Sequence, residues 1–94
     1  MKLMKQNLDD ESLKIYGYVI SSTYRVKILK AFGDKPRFPS ELAKNAGIRM
    51  NHVSNVLKQL KMKGLVEIVN PEAKKGRYYR LTDLGREVAE ELND

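Results

Sequence analysis

Three polar side chains in one short segment have the chemistry and the spacing to contact nucleic-acid bases. Asn51, Asn55 and Lys58 follow one another at intervals of four and three residues, which places them on one face of an α-helix. An Asn amide can bond adenine through two hydrogen bonds, and a Lys ammonium can reach guanine or a phosphate. The alternative interpretation is that these three residues are simply solvent-exposed side chains without a binding role. Two Asn, which are mediocre helix formers, favour the functional interpretation.

Three further residues border this face. Arg49 lies just before the predicted helix, where it would place a cation beside backbone phosphates, and Ser54 lies on the flank. His52 is the only His of the chain and the only side chain near the face that titrates around neutral pH. We interpret His52 as a polar surface contact, with pH sensing as the alternative.

A second basic segment lies between two stretches rich in β-branched and aromatic residues. Lys74, Lys75 and Arg77 flank Gly76 there. At the tip of a hairpin these side chains could follow phosphates or enter a minor groove. The alternative is a solvated turn, which would suffice for either Lys alone.

The charge of the chain is concentrated in one region. Its 94 residues carry a formal net charge of +6. Residues 49–80 contain eight Lys or Arg against two Asp or Glu, whereas residues 81–94 contain one against five. A basic segment followed by an acidic one is typical of a surface that binds a polyanion.

The composition excludes several classes of protein. There is no Cys and a single His, so the Cys and His ligand sets of zinc sites and thiol catalysis are excluded. We predict no catalytic residue, no metal site, no cofactor and no enzyme activity. Apolar runs are too short for a membrane span, and no apolar signal segment precedes Asp9. The sequence therefore predicts an intracellular, cytoplasmic protein without membrane contact.

Apolar periodicity, with Gly and Pro as breaks, predicts a single domain over residues 10–94 after a flexible N-terminal segment over residues 1–9. The predicted class is mainly α with a small β-hairpin (α+β). Ser22 and Thr82 are the expected N-caps of the second and last helices, and Arg25 is expected to pack and hydrogen-bond structurally. The predicted elements are helices over 10–21, 23–32, 39–46 and 50–63, a short strand near 37–38, strands over 65–70 and 77–81, and a helix after Thr82.

The first predicted helix is apolar on two sides, so one side must be covered by something other than its own core. A small domain also buries only part of its surface, which favours pairing with a second copy. We predict a homodimer. The alternative is that residues 1–9 cover the second side. The predicted dimer contacts are Leu13, Ile15, Tyr18, Val19, Leu84, Val88 and Leu92.

The chain resembles the winged helix-turn-helix transcriptional regulators, especially archaeal and bacterial proteins of the ArsR and MarR groups. The resemblance lies in STYRVKIL at 22–29, SELA at 40–43, VSNVLKQL at 53–60, GLV at 64–66 and YRLTDLG at 79–85. It implies that helix 50–63 is the recognition helix, that residues 71–76 form the tip of the wing, and that Tyr79 points inward. The family often has Ser or Thr where this chain has Arg49, and the Cys and His clusters of ArsR-type metal sensors are missing.

The expected function is a sequence-specific, double-stranded DNA-binding transcriptional regulator. The alternative is a winged helix that acts as a protein-interaction module within a transcription or other nucleoprotein assembly, and RNA binding is a lesser alternative. The sequence predicts no particular small-molecule effector, target gene or direction of regulation.

Overall fold

Five helices and a two-stranded hairpin make up the computed structural model, which describes residues 9–92. This confirms the predicted class and element order. The flexible segment predicted over 1–9 lies, apart from Asp9, outside the described residues. The elements are α1 (Asp10–Ile20), α2 (Thr23–Ala31), α3 (Pro39–Ala46), α4 (Met50–Met62), β1 (Val66–Ile68), β2 (Tyr79–Leu81) and α5 (Asp83–Leu92).

Side-chain caps begin the first two helices. The Asp9 carboxylate accepts a hydrogen bond from the Ser12 backbone N–H at 2.9 Å, and the hydrogen bonds from Ser12 lower the pKa of this carboxyl. The Ser22 hydroxyl accepts from the Arg25 N–H at 3.3 Å, as predicted. Arg49 gives α4 no side-chain cap, which agrees with the departure from the family pattern.

A tight left-handed turn connects α3 to α4. Gly47 has φ 70° and ψ 36°, a conformation that costs little only for glycine. Its N–H donates to the Ala43 carbonyl at 2.9 Å. At the other end of α3, Pro39 occupies the first turn and the Phe38 N–H donates to the Glu41 carboxylate at 2.8 Å. These contacts fix both ends of α3, which is the first helix of a helix-turn-helix.

One apolar core contacts every helix. The apolar stripe of α4 is buried and faces α2 and α3, so the outward side of α4 is its polar side. The stripe consists of Val53, Val56, Leu57 and Leu60. The residues with no exposed surface are Val19, Ile28, Leu29, Phe32, Leu42, Val53, Leu60, Leu65 and Val88.

The hairpin is shorter than predicted. Its backbone register pairs Val66 with Leu81 and Ile68 with Tyr79. Beyond that point the Asn70 side chain replaces a strand partner: its Oδ1 accepts from the Tyr78 N–H and its Nδ2 donates to the Gly76 carbonyl, both at 3.0 Å. The extended stretches predicted over 65–70 and 77–81 therefore end in a loop, which the Asn70 amide and the Arg77 guanidinium hold through hydrogen bonds.

The short strand predicted near 37–38 is confirmed as a single bridge on the free edge of β2. The Arg37 N–H donates to the Tyr79 carbonyl at 2.8 Å, and the Tyr79 N–H donates back at 2.9 Å. The bridge fastens the loop before α3 to the base of the hairpin.

The structure corrects the predicted dimer contacts. Val19 and Val88 have no exposed surface, so their assignment to a partner-facing surface is wrong: they complete the chain's own core. Leu13, by contrast, is 42% exposed. The other four predicted contacts are partly buried against the same core, and they are Ile15, Tyr18, Leu84 and Leu92.

The start of α5 is held against the loop before β1. Thr82 caps the helix by accepting from the Gly85 N–H at 3.1 Å, and its backbone N–H donates to the Leu65 carbonyl at 3.1 Å. A Cβ on Gly85 would lie 1.9 Å from that carbonyl oxygen. Only glycine lets the two backbones approach this closely.

We expect Gly85→Ala to lower the free energy of unfolding by about 3 kcal/mol or more, because a backbone carbonyl must move to accept the methyl group. Gly17→Ala is the matched control: Gly17 lies within α1 and a Cβ there meets nothing within 4 Å. The control should raise stability by about 0.5–1 kcal/mol. Urea denaturation of both variants measures the difference, and equal effects would contradict the close approach.

Candidate nucleic-acid interface

The candidate recognition face is the outward side of α4. Asn51, Ser54, Asn55 and Lys58 are all exposed, and the buried stripe on the opposite side fixes which way they face. Arg49, also exposed, precedes the first turn. The structure thus places five of the predicted base- or phosphate-contacting residues on or beside one accessible surface.

His52 differs from its neighbours because it is only partly exposed. It lies on the side of α4 that faces α2, and its ring lies 4.6 Å from the Tyr24 ring with the two planes tilted by 40°. His52 therefore packs against an aromatic ring and borders the recognition face. The sequence carries no local signal for this pair, since Tyr24 and His52 are far apart in the chain.

Arg25 connects α4 to the rest of the domain. Its Nε donates to the Gln59 Oε1 at 3.0 Å, while Nη1 donates to the Tyr18 carbonyl at 2.8 Å and to the Ser21 hydroxyl at 3.1 Å. The predicted structural role of Arg25 is thereby confirmed. One side chain joins the end of α1, the start of α2 and the last turn of α4.

Aromatic contacts reinforce this connection. The Arg25 Cζ lies 3.7 Å from the centroid of the Tyr18 ring, and the Lys63 Nζ lies 4.9 Å from the same centroid. Cation–π contacts of this kind stabilise both partners. Because Lys63 is the C-cap residue of α4, the end of α1 is tied to the C-terminal end of α4 at two residues, Gln59 and Lys63.

The cations at the tip of the hairpin have two different roles. Lys74 and Lys75 are exposed. Arg77 is exposed too, but its guanidinium donates to the Ala73 carbonyl at 2.7 Å and to the Pro71 carbonyl at 3.3 Å. Arg77 therefore shapes the loop, and any phosphate contact must use the donors that these bonds leave.

The two tyrosines after the tip face different neighbours. Tyr79 packs against the core, as the resemblance implied. Tyr78 packs against Phe38, with ring centroids 5.3 Å apart. Phe38 is itself 44% exposed, so an aromatic pair lies between the start of α3 and the wing, and sequence reasoning did not identify it.

One cation of the basic region is neutralised within the hairpin. The Arg80 Nε lies 2.6 Å from the Glu67 Oε2, across the register pair that joins β1 and β2. The other cations of residues 49–80 are all exposed, and they lie on or next to α4 and at the wing tip.

Two observations concern other kinds of site. Within residues 9–92 no group of three His, Cys, Asp or Glu is arranged to hold a metal ion. No helix in that range has the length and apolar character needed to cross a membrane.

Comparisons with known proteins agree with this geometry. The winged helix-turn-helix family model matches residues 24–94, and the chain belongs to that family. Family membership points to a non-enzymatic DNA-binding domain, since this architecture docks a helix in the major groove. No curated protein matches the sequence.

Two solved structures of MarR-family transcriptional regulators have the same fold. One is SPO1453 from Silicibacter pomeroyi DSS-3, with a TM-score of 0.67, 23% identity, and coverage of 89% of this chain and 62% of that one. The other is the zinc-dependent regulator AdcR in its Zn(II)-bound state, with a TM-score of 0.54, 20% identity, and coverage of 99% and 57%. This chain thus spans about three fifths of each regulator's length.

We expect Arg25→Met to lower the free energy of unfolding by about 2 kcal/mol, because the Gln59 amide loses a charged partner. Arg25→Lys should restore little of the lost free energy of unfolding, since an ammonium cannot donate to several acceptors in the way that the planar guanidinium does. Arg80→Met, which breaks an exposed ion pair, should cost at most about 1 kcal/mol. Chemical denaturation compares the three variants. If Arg25→Met and Arg80→Met cost the same, Arg25 does not connect the helices.

Proposed function

We propose that this chain is a sequence-specific transcriptional regulator that binds double-stranded DNA, with α4 in the major groove and the hairpin as a basic wing. The observation that carries the proposal is the exposed row Asn51, Asn55 and Lys58 on a helix whose other side is buried. An α-helix fits the major groove, where its Asn amides can bond base edges while its Lys ammonium reaches a phosphate.

The contacts divide into two kinds. Asn51 and Asn55, with Ser54 and His52 beside them, face the base edges and provide sequence discrimination. The phosphate contacts carry affinity without sequence information. They are Arg49, Lys58, Lys74, Lys75 and Arg77.

Asn55→Ala should reduce discrimination between binding sites by about 1–3 kcal/mol. Lys75→Ala should weaken binding to all duplexes equally. It should also lower the salt slope, which is the slope of the logarithm of the binding constant against the logarithm of the salt concentration, by about one. Selection from random duplexes, followed by titration at several salt concentrations, separates these effects. Met62→Ala, an exposed change late in α4, is the control for Asn55, and Lys14→Ala is the control for Lys75. Identical behaviour of Asn55→Ala and Lys75→Ala on every sequence would refute the division.

Failure of the wild-type chain to enrich any duplex motif would favour the interaction module within a larger assembly instead. Competition between duplex DNA and duplex RNA in the same titration distinguishes an RNA-binding protein.

The regulator acts as a homodimer through the outer face of α1. Leu13 and Ile20 are 42% and 51% exposed, and Gly17 lies between them with nothing within 4 Å of a Cβ built on it. Exposed apolar residues on one helix face, in a domain with a small core, support pairing with a second copy. The exposed residues of α5 are charged, with Asp83, Arg86 and Glu90 among them, so α1 supplies the contact.

Ile20→Glu combined with Leu13→Glu should convert a dimer to a monomer in sedimentation equilibrium. Binding to paired half-sites, about 34 Å apart, should then fall while binding to a single half-site persists. Met62→Glu, at an 83% exposed position outside this face, should leave the dimer intact. A monomeric wild-type chain would instead favour coverage of this face by the first residues of the chain.

A DNA-binding regulator of this kind works in the cytoplasm, where bacterial and archaeal DNA lies. No membrane and no cofactor takes part in the proposed function.

A further inference from the structure

A basic groove runs along the outer side of α2. It consists of two adjoining hollows, of about 420 and 530 Å³, that share Lys27. The first lies against the turn before α4, where Arg49 and His52 line it. The second continues along α2 and α3 and is lined by Lys30 and Arg37. Both are open to solvent, which suits a long ligand better than a small enclosed one.

The local structure explains why these cations lie together. Lys27 and Lys30 are three residues apart on the polar side of α2, so their side chains are neighbours, and both are exposed. Arg37 is held in place because its Nε donates to the Phe32 carbonyl at 3.1 Å. The floor includes Asn45, whose amide donates to the Ala31 carbonyl at 3.2 Å.

The charge of the groove is uncompensated by its own lining. Lys27, Lys30, Arg37 and Arg49 are cations, and no Asp or Glu of the described chain lines either hollow. The hollow beside β2 and α5 differs, since Asp34 and Glu90 line it together with its cations. A run of cations without acidic neighbours attracts a polyanion along its length.

The position of the groove indicates which polyanion. It begins at Arg49 and His52, at the N-terminal end of α4, and a recognition helix uses that end to contact base edges. The phosphates next to the contacted bases therefore lie close to the entrance of the groove. A duplex that continues past the site meets Lys27 first and Lys30 one turn of α2 later.

We propose that this groove binds the sugar–phosphate backbone of the duplex that flanks the recognition site, which extends the DNA contact from α4 onto α2. The inference rests on the proposed DNA-binding function. The bound groups are phosphates, so the contact adds affinity and salt dependence without sequence preference. Lys27 and Lys30 are its principal ligands.

The test measures binding of the full chain to two duplexes over a range of salt concentrations. One carries only the selected motif, and the other extends it by about one helical turn, or 10 base pairs, at each end. The wild-type chain should bind the longer duplex more tightly and with a steeper salt slope. Lys27→Gln with Lys30→Gln should lower that slope by about 2, since each lost phosphate contact contributes about 0.9. Binding to the short duplex should change little.

Lys14→Gln with Lys35→Gln is the matched control, because it removes the same charge from exposed lysines outside both hollows. If the groove variant and the control weaken the long duplex equally, the groove is not a DNA contact, while the proposed function stands. A wild-type chain that binds neither duplex overturns the proposed function and the groove together. Binding of polyglutamate but not of DNA would assign the groove to an acidic protein.

Discussion

The guanidinium of Arg25 holds three helices in one arrangement. Its hydrogen bonds reach Tyr18 and Ser21 at the end of α1 and Gln59 on α4, and it lies over the Tyr18 ring. Arg suits this position because its planar fork of donors serves several acceptors at once. A recognition helix has to be oriented before it can discriminate bases, and apolar packing alone leaves some freedom to slide. The Arg25 hydrogen bonds to α1 and α4 remove part of that freedom. They also fix the position of the proposed dimer face on α1 relative to the proposed DNA-binding face on α4.

The electrostatics follow from the same packing. The stripe of Val and Leu on α4 is buried, so its Asn and Lys residues are exposed, and the hairpin presents the exposed Lys74 and Lys75 at its tip. Glu67 neutralises Arg80 within the hairpin, and α5 presents mainly acidic residues to solvent. The cations on which the proposed phosphate contacts depend therefore lie on or next to α4, at the wing tip and along the groove beside α2. A duplex placed against α5 would meet repulsion.

Local sequence signals predicted some features and missed others. Ser22 and Thr82 act through neighbours a few residues away, so the helix starts they define could be identified directly. The lengths of the strands depended on Asn70, whose side chain competes with the backbone for Tyr78 and Gly76. The predicted dimer contacts combined two sides of α1, because periodicity shows that two apolar sides exist but not which one faces the core. Val19 faces it and Leu13 does not.

The sequence by itself determined the class of fold, the core face of α4 and the basic character of residues 49–80, because these depend on composition and on spacings within one helix or hairpin. Only the tertiary structure decided which residues meet across elements. His52 packs on Tyr24, Phe38 packs on Tyr78, and Lys27 joins Arg49 in one groove. The partners in each pair are separated by 22 to 40 residues, and no local preference specifies such a meeting. It follows from how the helices pack around the shared core.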